Sequence, residues 1–547
     1  MINHLIQFRQ KLSWGIFSLA LFFIVDRILF ALIASWREDQ GANLYIGFYY
    51  FEWPISVGLL SSIKIPNPNG MIHLGAALAW LPGLIAVSSA LGIIQVVTLS
   101  IWLKTTELVD KKYLLFVILP VLSSFVIRVE GSELWNNVIF VAVNSLFLAT
   151  INYFYKTGSP YSVGTLILFV LVAPSFYLAG LVNAFAYGAL TAIALWLSRA
   201  QIQKKSAQSI TGSILFLLSG MILLWLFVWQ PYFIATPLDQ IRGMSNLLLS
   251  EKLYLALEAI FYTPSWLFRF TNIRLPLLYD YGDSLGAPVF WLSNLLAVLL
   301  KIQLLIAVGG LLSWAFQKWV KRNAGHCPVS SANAFVFGLL FFVMVSSPLL
   351  GGPNLHRGER IDIVHQLYPA FLFLVFGIAF HGARLMHSRW HKIITFNACC
   401  FVMCNLLAGY ALVYTALTKQ SERITHADVP VIDKVRAVEY IAKDWKSSDG
   451  GPIVAVDYDI EGIWAWVPEL NKTHSVYYPN VYTIGRALDY EFERMHQLKN
   501  YREGEVIRSG RSARYVITYR HTCDRLDYGV IEKKYFGRIC VIKQDIK

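Results

Sequence analysis

The stretch Ile393-Ile394-Thr395-Phe396-Asn397-Ala398-Cys399-Cys400-Phe401-Val402-Met403-Cys404-Asn405-Leu406-Leu407-Ala408-Gly409-Tyr410-Ala411-Leu412-Val413-Tyr414-Thr415-Ala416-Leu417 is followed at once by Thr418-Lys419-Gln420-Ser421-Glu422-Arg423. A run this long without Asp, Glu, Lys or Arg exceeds the roughly 20 residues that an α-helix needs to cross a bilayer. The polar residues that follow end it sharply. No comparable run occurs after Leu417, whereas ten more precede it, near residues 12–34, 73–103, 113–128, 138–155, 162–180, 181–198, 210–230, 288–316, 332–349 and 364–383. The pattern predicts a polytopic α-helical membrane region of about eleven spans over 1–417 and a soluble domain over 418–547.

Composition agrees. Of 547 residues, 56% are hydrophobic and 15% charged, with a mean hydropathy of +0.51. Soluble domains carry about 25% charged residues, so secreted, cytosolic and chromatin classes are excluded. The net charge of +13 is an orientation signal rather than a nucleic-acid footprint. With a cytoplasmic N-terminus, the inner loops hold fifteen basic residues against Glu107 and Asp110, and the outer loops nine basic against twelve acidic. Basic residues favour the cytoplasmic side, so eleven spans leave the tail outside, as expected for a bacterial inner or plasma membrane protein. The first span is too long, and too poor in small residues at its end, for a cleavable signal peptide.

Cys399, Cys400 and Cys404 lie in the last span and act as small hydrophobes. Cys523 and Cys540 share the tail, where either a disulfide or two buried thiols fits. A helix from Asp433 to Trp445, a strand from Ile453 to Val456, another from Tyr515 to Tyr519 and a hairpin through 530–535 and 538–542 predict a small α/β domain. Leu247 to Phe261, interrupted by Glu251, Lys252 and Glu258, reads as an interfacial helix.

The scarce polar residues gather on the outer face. The loop over 35–72 opens Trp36-Arg37-Glu38-Asp39-Gln40-Gly41 and closes Ser61-Ser62-Ile63-Lys64-Ile65-Pro66-Asn67-Pro68. An acid pair directly after a span sits at headgroup depth, where a base meets a lipid-linked substrate. The short loop Arg128-Val129-Glu130-Gly131-Ser132-Glu133-Leu134-Trp135-Asn136 repeats the device. A long segment over 231–287 reads as a cover. The loop containing His356, Arg357 and Arg360 offers bidentate donors for an anionic lipid phosphate. His356, Asp362 and His365 match no strong metal spacing, and the two histidines read as solvated.

At these residues the sequence resembles the GT-C superfamily of membrane glycosyltransferases, in the bacterial branch similar to protein mannosyltransferases and aminoarabinose transferases. The resemblance rests on Glu38-Asp39-Gln40-Gly41, Ser61-Ser62 with Pro66-Asn67-Pro68, Arg128 to Asn136, the long loop after the seventh span, and His365-Gln366-Leu367-Tyr368-Pro369. It implies an integral membrane enzyme of the cell envelope that takes a hexosyl or pentosyl group from a polyprenyl-phosphate sugar and transfers it, with inversion, to a protein, lipid or glycan acceptor. Asp39 then matches the general base, with Glu38 beside it and Glu130 or Glu133 as the second acid. The substrate-binding set becomes Arg37, Lys64, Asn67, Arg128, Asn136, His356, Arg357 and Arg360. A divalent metal ion remains an open option, membrane lipids are partners, and nucleic acid is not. The competing class is a secondary transporter or lipid flippase, whose intramembrane charges would be Asp26, Arg27 and Lys301.

Overall fold

The structure is a computed structural model. It describes residues 14–34, 43–44, 47, 58, 67–106, 114–132, 134, 136–202, 205–236, 249–271, 286–321, 330–351, 361–385, 388–418, 429–444, 453–456, 475–477, 514–524 and 529–545. Helices stand at all eleven expected positions. The first is α1 (Trp14–Ala31). The second divides: α2 (Gly70–Leu78) is a separate short helix, and α3 (Leu84–Thr106) carries the span. Gly83, at φ 90°, makes the break between them.

The third also divides, because Pro120 weakens α4 (Leu114–Ser123) and the chain turns at Ser124 into α5 (Phe125–Glu130). The remaining spans are α6 (Asn136–Thr157), α7 (Pro160–Phe176), α8 (Gly180–Ile202) and α9 (Ala207–Leu224), the last continuing through a π-helical turn, Trp225–Trp229, into α10 (Gln230–Ala235). After α11 (Leu249–Phe270), the chain completes the bundle with α12 (Gly286–Lys321), α13 (Ser331–Gly351), α14 (Ile361–Leu385) and α15 (Ser388–Thr418).

Six of these segments are long and apolar enough to span a bilayer, and three shorter apolar helices accompany them. Their outward faces carry Leu21, Val25, Phe216, Ile222, Leu305, Leu312 and Phe396, all exposed in the isolated chain. Water would not tolerate such a belt, so it marks the lipid-facing surface of an integral membrane protein. Since lipid gives helices no hydrophobic reason to associate, polar side chains and small residues join them. Asn397 Nδ2 donates to Gln303 Oε1 at 2.8 Å, tying α15 to α12. Gly164 and Gly220 let α7 and α9 approach closely.

Beyond the bundle lie α16 (Val431–Asp444) and five strands: β1 (Ile453–Val456), β2 (Ser475–Tyr477), β3 (Tyr515–Tyr519), β4 (Val530–Phe536) and β5 (Ile539–Gln544). A short helix, α17 (Arg520–Cys523), follows β3. The sheet order is β2-β1-β3-β5-β4, with β1 parallel to both β2 and β3 and the β4–β5 hairpin antiparallel. Both parts of the α/β pattern expected for the tail are present, and β2 is an addition to it. Cys523 and Cys540 form a disulfide. The buried apolar cluster runs unbroken from the bundle into α16 and the sheet. The junction is also hydrogen-bonded: the N–H groups of Val431 and Ile432 donate to the carbonyls of Ala34 and Leu32, at 3.0 and 3.3 Å. The amino end of α16 thus satisfies carbonyls that the end of α1 leaves open.

Candidate functional site

The stretch read as a second outer loop is helical through Glu130, which places Arg128 inside the bundle. Its guanidinium is fully buried and grips Asp26 of α1 with two bonds, Nε to Oδ2 at 2.7 Å and Nη2 to Oδ1 at 2.5 Å. Tyr410 of α15 donates to the same carboxylate at 2.8 Å. The guanidinium also lies over the rings of Phe30 and Tyr410, 4.3 and 4.8 Å from their centroids. Gly409 makes room, since a Cβ there would stand 2.6 Å from Arg128 Nη1. A bidentate, stacked and desolvated arginine is held for good reasons of geometry. The pair binds α1, α5 and α15 into one block, and Asn405 accepts the N–H of Phe125 at 3.0 Å to fix where α5 begins.

Arg27, next to Asp26 in α1, is a second fully buried cation. Its Nη1 is 3.8 Å from Asp26, none of its nitrogens makes a hydrogen bond, and its stem lies against Gly92 of α3. One carboxylate therefore serves two guanidinium groups.

Two residues beyond Arg128, Glu130 meets His365 of α14 through a contact between Oε1 and Nδ1. Both are buried, at 7% and 3% exposure, so His365 is not the solvated histidine that its loop-edge position suggested. The fold brings together two ionisable groups 235 positions apart because α5 ends where α14 begins its second turn. One residue further along α14, the Gln366 carbonyl accepts from Asn144 Nδ2 at 3.4 Å. Asn144 Oδ1 in turn accepts from Asn183 at 3.1 Å and from the Tyr187 hydroxyl at 2.5 Å. A polar track therefore runs from Glu130 into the bundle across α6 and α8.

Parts of the first outer loop are anchored by backbone contact. Gly58 N–H donates to the Asn67 carbonyl at 2.6 Å, and Asn67 Oδ1 accepts from Leu178 N–H at 3.1 Å. Gly75 faces the Asn43 carbonyl with no room for a side chain. Asn69 Nδ2 and His73 Nε2 both reach the Phe227 carbonyl in the π-helical turn, at 3.3 and 3.1 Å.

Of the residues expected to act, the structure places Asn67, Arg128 and Glu130. Arg128 serves Asp26, and Asn67 serves the chain between α7 and α8. Asn136 opens α6, and its side chain lies outside the described residues, as do Arg37, Glu38, Asp39, Lys64, Glu133, His356, Arg357 and Arg360. Sequence reasoning missed His365 as a partner of Glu130. The signal available was a histidine at the polar mouth of an apolar helix. Among the described residues no three His, Cys, Asp or Glu side chains converge as a metal site.

No family model matches the chain, and no curated protein matches it. Among solved structures it is similar to ArnT of Cupriavidus metallidurans bound to undecaprenyl phosphate, at 10% identity over 97% of this chain and 98% of that one, with a TM-score of 0.46. The apo state of the same protein gives 14% identity, 97% of each chain and a TM-score of 0.41. An oligosaccharyltransferase of Archaeoglobus fulgidus tethered to an acceptor peptide gives 12% identity, 93% of this chain, 69% of that one, and 0.38. At such identities and scores no residue role passes from those proteins to this one, and the site stands on its own geometry.

Proposed function

We propose that the chain is a membrane glycosyltransferase that moves a hexosyl or pentosyl group from a polyprenyl-phosphate carrier to a protein, lipid or glycan acceptor. The reaction takes place at the end of the bundle that carries the C-terminal domain, outside the cytoplasm. The observation that carries the reading is the buried Glu130–His365 pair. Ionisable groups desolvated together at the mouth of a helical bundle are costly, and such cost is characteristic of sites that do chemistry. The same end of the bundle releases Arg37-Glu38-Asp39 directly after α1, whose position is fixed by Asp26–Arg128.

In this reading Asp39 takes the proton of the acceptor hydroxyl while the acceptor oxygen attacks the anomeric carbon from the face opposite the phosphate, so the configuration inverts. Glu38, Glu130 and Glu133 are the supporting acids, and Arg37, Lys64, His356, Arg357 and Arg360 hold the donor's anionic group. Electrostatic stabilisation of the departing phosphate and alignment of the two substrates supply most of the acceleration.

The test uses purified protein in lipid nanodiscs with a panel of labelled polyprenyl-phosphate hexoses and pentoses, scored for released polyprenyl phosphate. Replacing Asp39 by Asn should lower turnover by about a hundredfold or more while donor binding stays near that of the unaltered protein. Full activity of a correctly inserted Asp39→Asn protein removes Asp39 as base. The second reading, a transporter or flippase, draws on the intramembrane charges. It would show translocation of the intact lipid without cleavage. Against it, Asp26 is saturated by Arg128 and Tyr410 and has the contacts of a structural clamp.

A further inference from the structure

Residue 231 is a proline on the helical path from α9 into α10. An α-helix passes the N–H of residue 231 to the carbonyl of residue 227, and proline has no N–H to give. The π-helical turn falls at this place: the Gln230 N–H reaches back to the Trp225 carbonyl instead of to Leu226. The Phe227 carbonyl thus lacks its α-helical donor, and it is this carbonyl that takes Asn69 Nδ2 at 3.3 Å and His73 Nε2 at 3.1 Å. A carbonyl only accepts, so Nε2 of His73 carries the hydrogen. The Phe227 ring is exposed, and the residue enters the junction through its backbone.

Both donors belong to α2. Asn69 precedes its first residue and His73 lies one turn on, so their side chains leave the same face. The helix is seated on the first outer loop: Gly47 lies against the backbone of Gly75 and Ala76, and Gly75 against the Asn43 carbonyl, each too close for a side chain. On the other side of the junction, α10 begins the segment expected to cover the site, and Tyr232 and Thr236 are buried. A proline with a π-helical turn is where a helix bends, and two side-chain hydrogen bonds bias such a hinge without freezing it. The hinge also stands where the bundle is most open to lipid. Only 6% of the apolar window of the Ala207–Ile234 span is buried, against 39–67% for the other five candidate spans.

We propose that Asn69 and His73 are positioning residues: they latch the Pro231 hinge to α2, set the angle at which α10 leaves α9, and thereby govern admission of the lipid-borne donor. The role in donor admission rests on the glycosyltransferase reading, whereas the latch does not. Pro231 keeps the acceptor open and α2 supplies the donors, so an N–H restored at position 231 competes with the latch while leaving both donor side chains in place.

The experiment compares full-length protein in nanodiscs with Asn69→Ala/His73→Ala, with Pro231→Ala and with the triple variant. It reads hydrogen exchange over 70–78 and 232–236, and kcat and KM on the labelled donor panel. Unfolding temperatures verify that each variant is folded, and Pro231→Ala carries the test if the double variant is not. Asn69→Ala/His73→Ala should speed exchange over 232–236 by about tenfold. Pro231→Ala should slow it there and speed it over 70–78, because the Phe227 carbonyl regains a helical donor. In that background, removing Asn69 and His73 should add little, a non-additivity that two independent structural losses would not show. The double variant should raise the donor KM several-fold with kcat within about twofold. Unaltered exchange over 232–236 in the folded double variant, or strict additivity with Pro231→Ala, overturns the latch. Altered exchange with an unaltered donor KM overturns its role in admission. If the unaltered protein cleaves no donor in the panel, the enzyme reading fails and the role in admission with it, while exchange still decides the latch.

Discussion

Asp26 is the residue on which the most buried charge depends. Replacing it by Asn or Leu leaves Arg128 desolvated without its carboxylate, and Arg27 without the anion 3.8 Å away. Breaking one side of a buried pair costs about 3–5 kcal/mol, whereas removing both partners costs far less. Asp26→Leu should accordingly lower the unfolding temperature markedly, and adding Arg128→Met should recover part of the loss, a non-additivity readable in a double-mutant cycle. Strict additivity would mean that the pair is not coupled. Gly537 supplies a second residue-level case. Its φ of 57° already disfavours a side chain, and a Cβ there would collide with the Asp433 carboxylate. Gly537→Ala should destabilise the β4–β5 hairpin by roughly 1–3 kcal/mol, seen as faster hydrogen exchange over 530–544. Neither contact was legible beforehand. Asp26 and Arg27 could be read as intramembrane charges, but which of the cations takes the carboxylate is decided by how α1, α5 and α15 pack, and no local pattern encodes a partner 102 residues away.

Elements were more legible than contacts. Apolar runs of spanning length announce themselves, and the strands of the tail follow from β-branched and aromatic clusters, which is why the eleven helical positions and most of the sheet agree with expectation. The misreadings occurred where a break falls inside an apolar run. Gly83 splits what reads as one span into α2 and α3, and Ser124 splits another into α4 and α5, whose helix runs past the expected end of the span at 128 to take in Val129 and Glu130 of the loop sequence. The junction of α16 with α1 was invisible for a related reason, since it is made by backbone groups. It offers an element-scale prediction. Val431 is the first residue of α16, a position that tolerates proline because no helical bond is lost there. Val431→Pro therefore removes the donor to Ala34 while sparing α16. The expected result is a loss of about 1 kcal/mol in the docking of α16, read as reduced exchange protection over 431–444 with the strands β3 and β5 unchanged. Equal loosening of the whole sheet would show that α16 and the strands open as one unit.

The same junction gives the whole molecule a pH dependence of definite sign. Asp433 is held with its carboxyl pushed up to about 6, mainly because burial disfavours its charge, against an opposing pull from the Arg538 N–H and guanidinium. The unfolded value is 3.8, so the folded protein holds this proton more tightly than the unfolded chain, and stability falls as pH rises. The stabilisation is complete below about pH 4 and is lost as pH passes 6, and the difference between those limits is on the order of 2–3 kcal/mol. Asp433→Asn keeps an acceptor for the Arg538 N–H without a charge to bury. It should abolish the decline, so that protein and variant coincide below about pH 4, separate between pH 4 and 6 and keep a constant gap above that; curves that run parallel from pH 4 to 6 would exclude Asp433 as the source.

Topology is the other property that belongs to the whole chain. The charge asymmetry between loop sets is the ground for expecting the C-terminal domain outside, and the Cys523–Cys540 disulfide fits an oxidising compartment independently of charge. Treating intact cells with a membrane-impermeant maleimide separates the alternatives. An outside domain should stay unlabelled until an impermeant reductant opens the disulfide, then take up label that Cys523→Ser/Cys540→Ser lacks. Label that appears only after the membrane is breached would put the domain inside, and with it Glu130, His365 and the first loop, which share that end of the bundle. A polyprenyl-linked donor would then have to be used on the cytoplasmic face, so this one measurement bears on both the orientation and the chemistry proposed for the site.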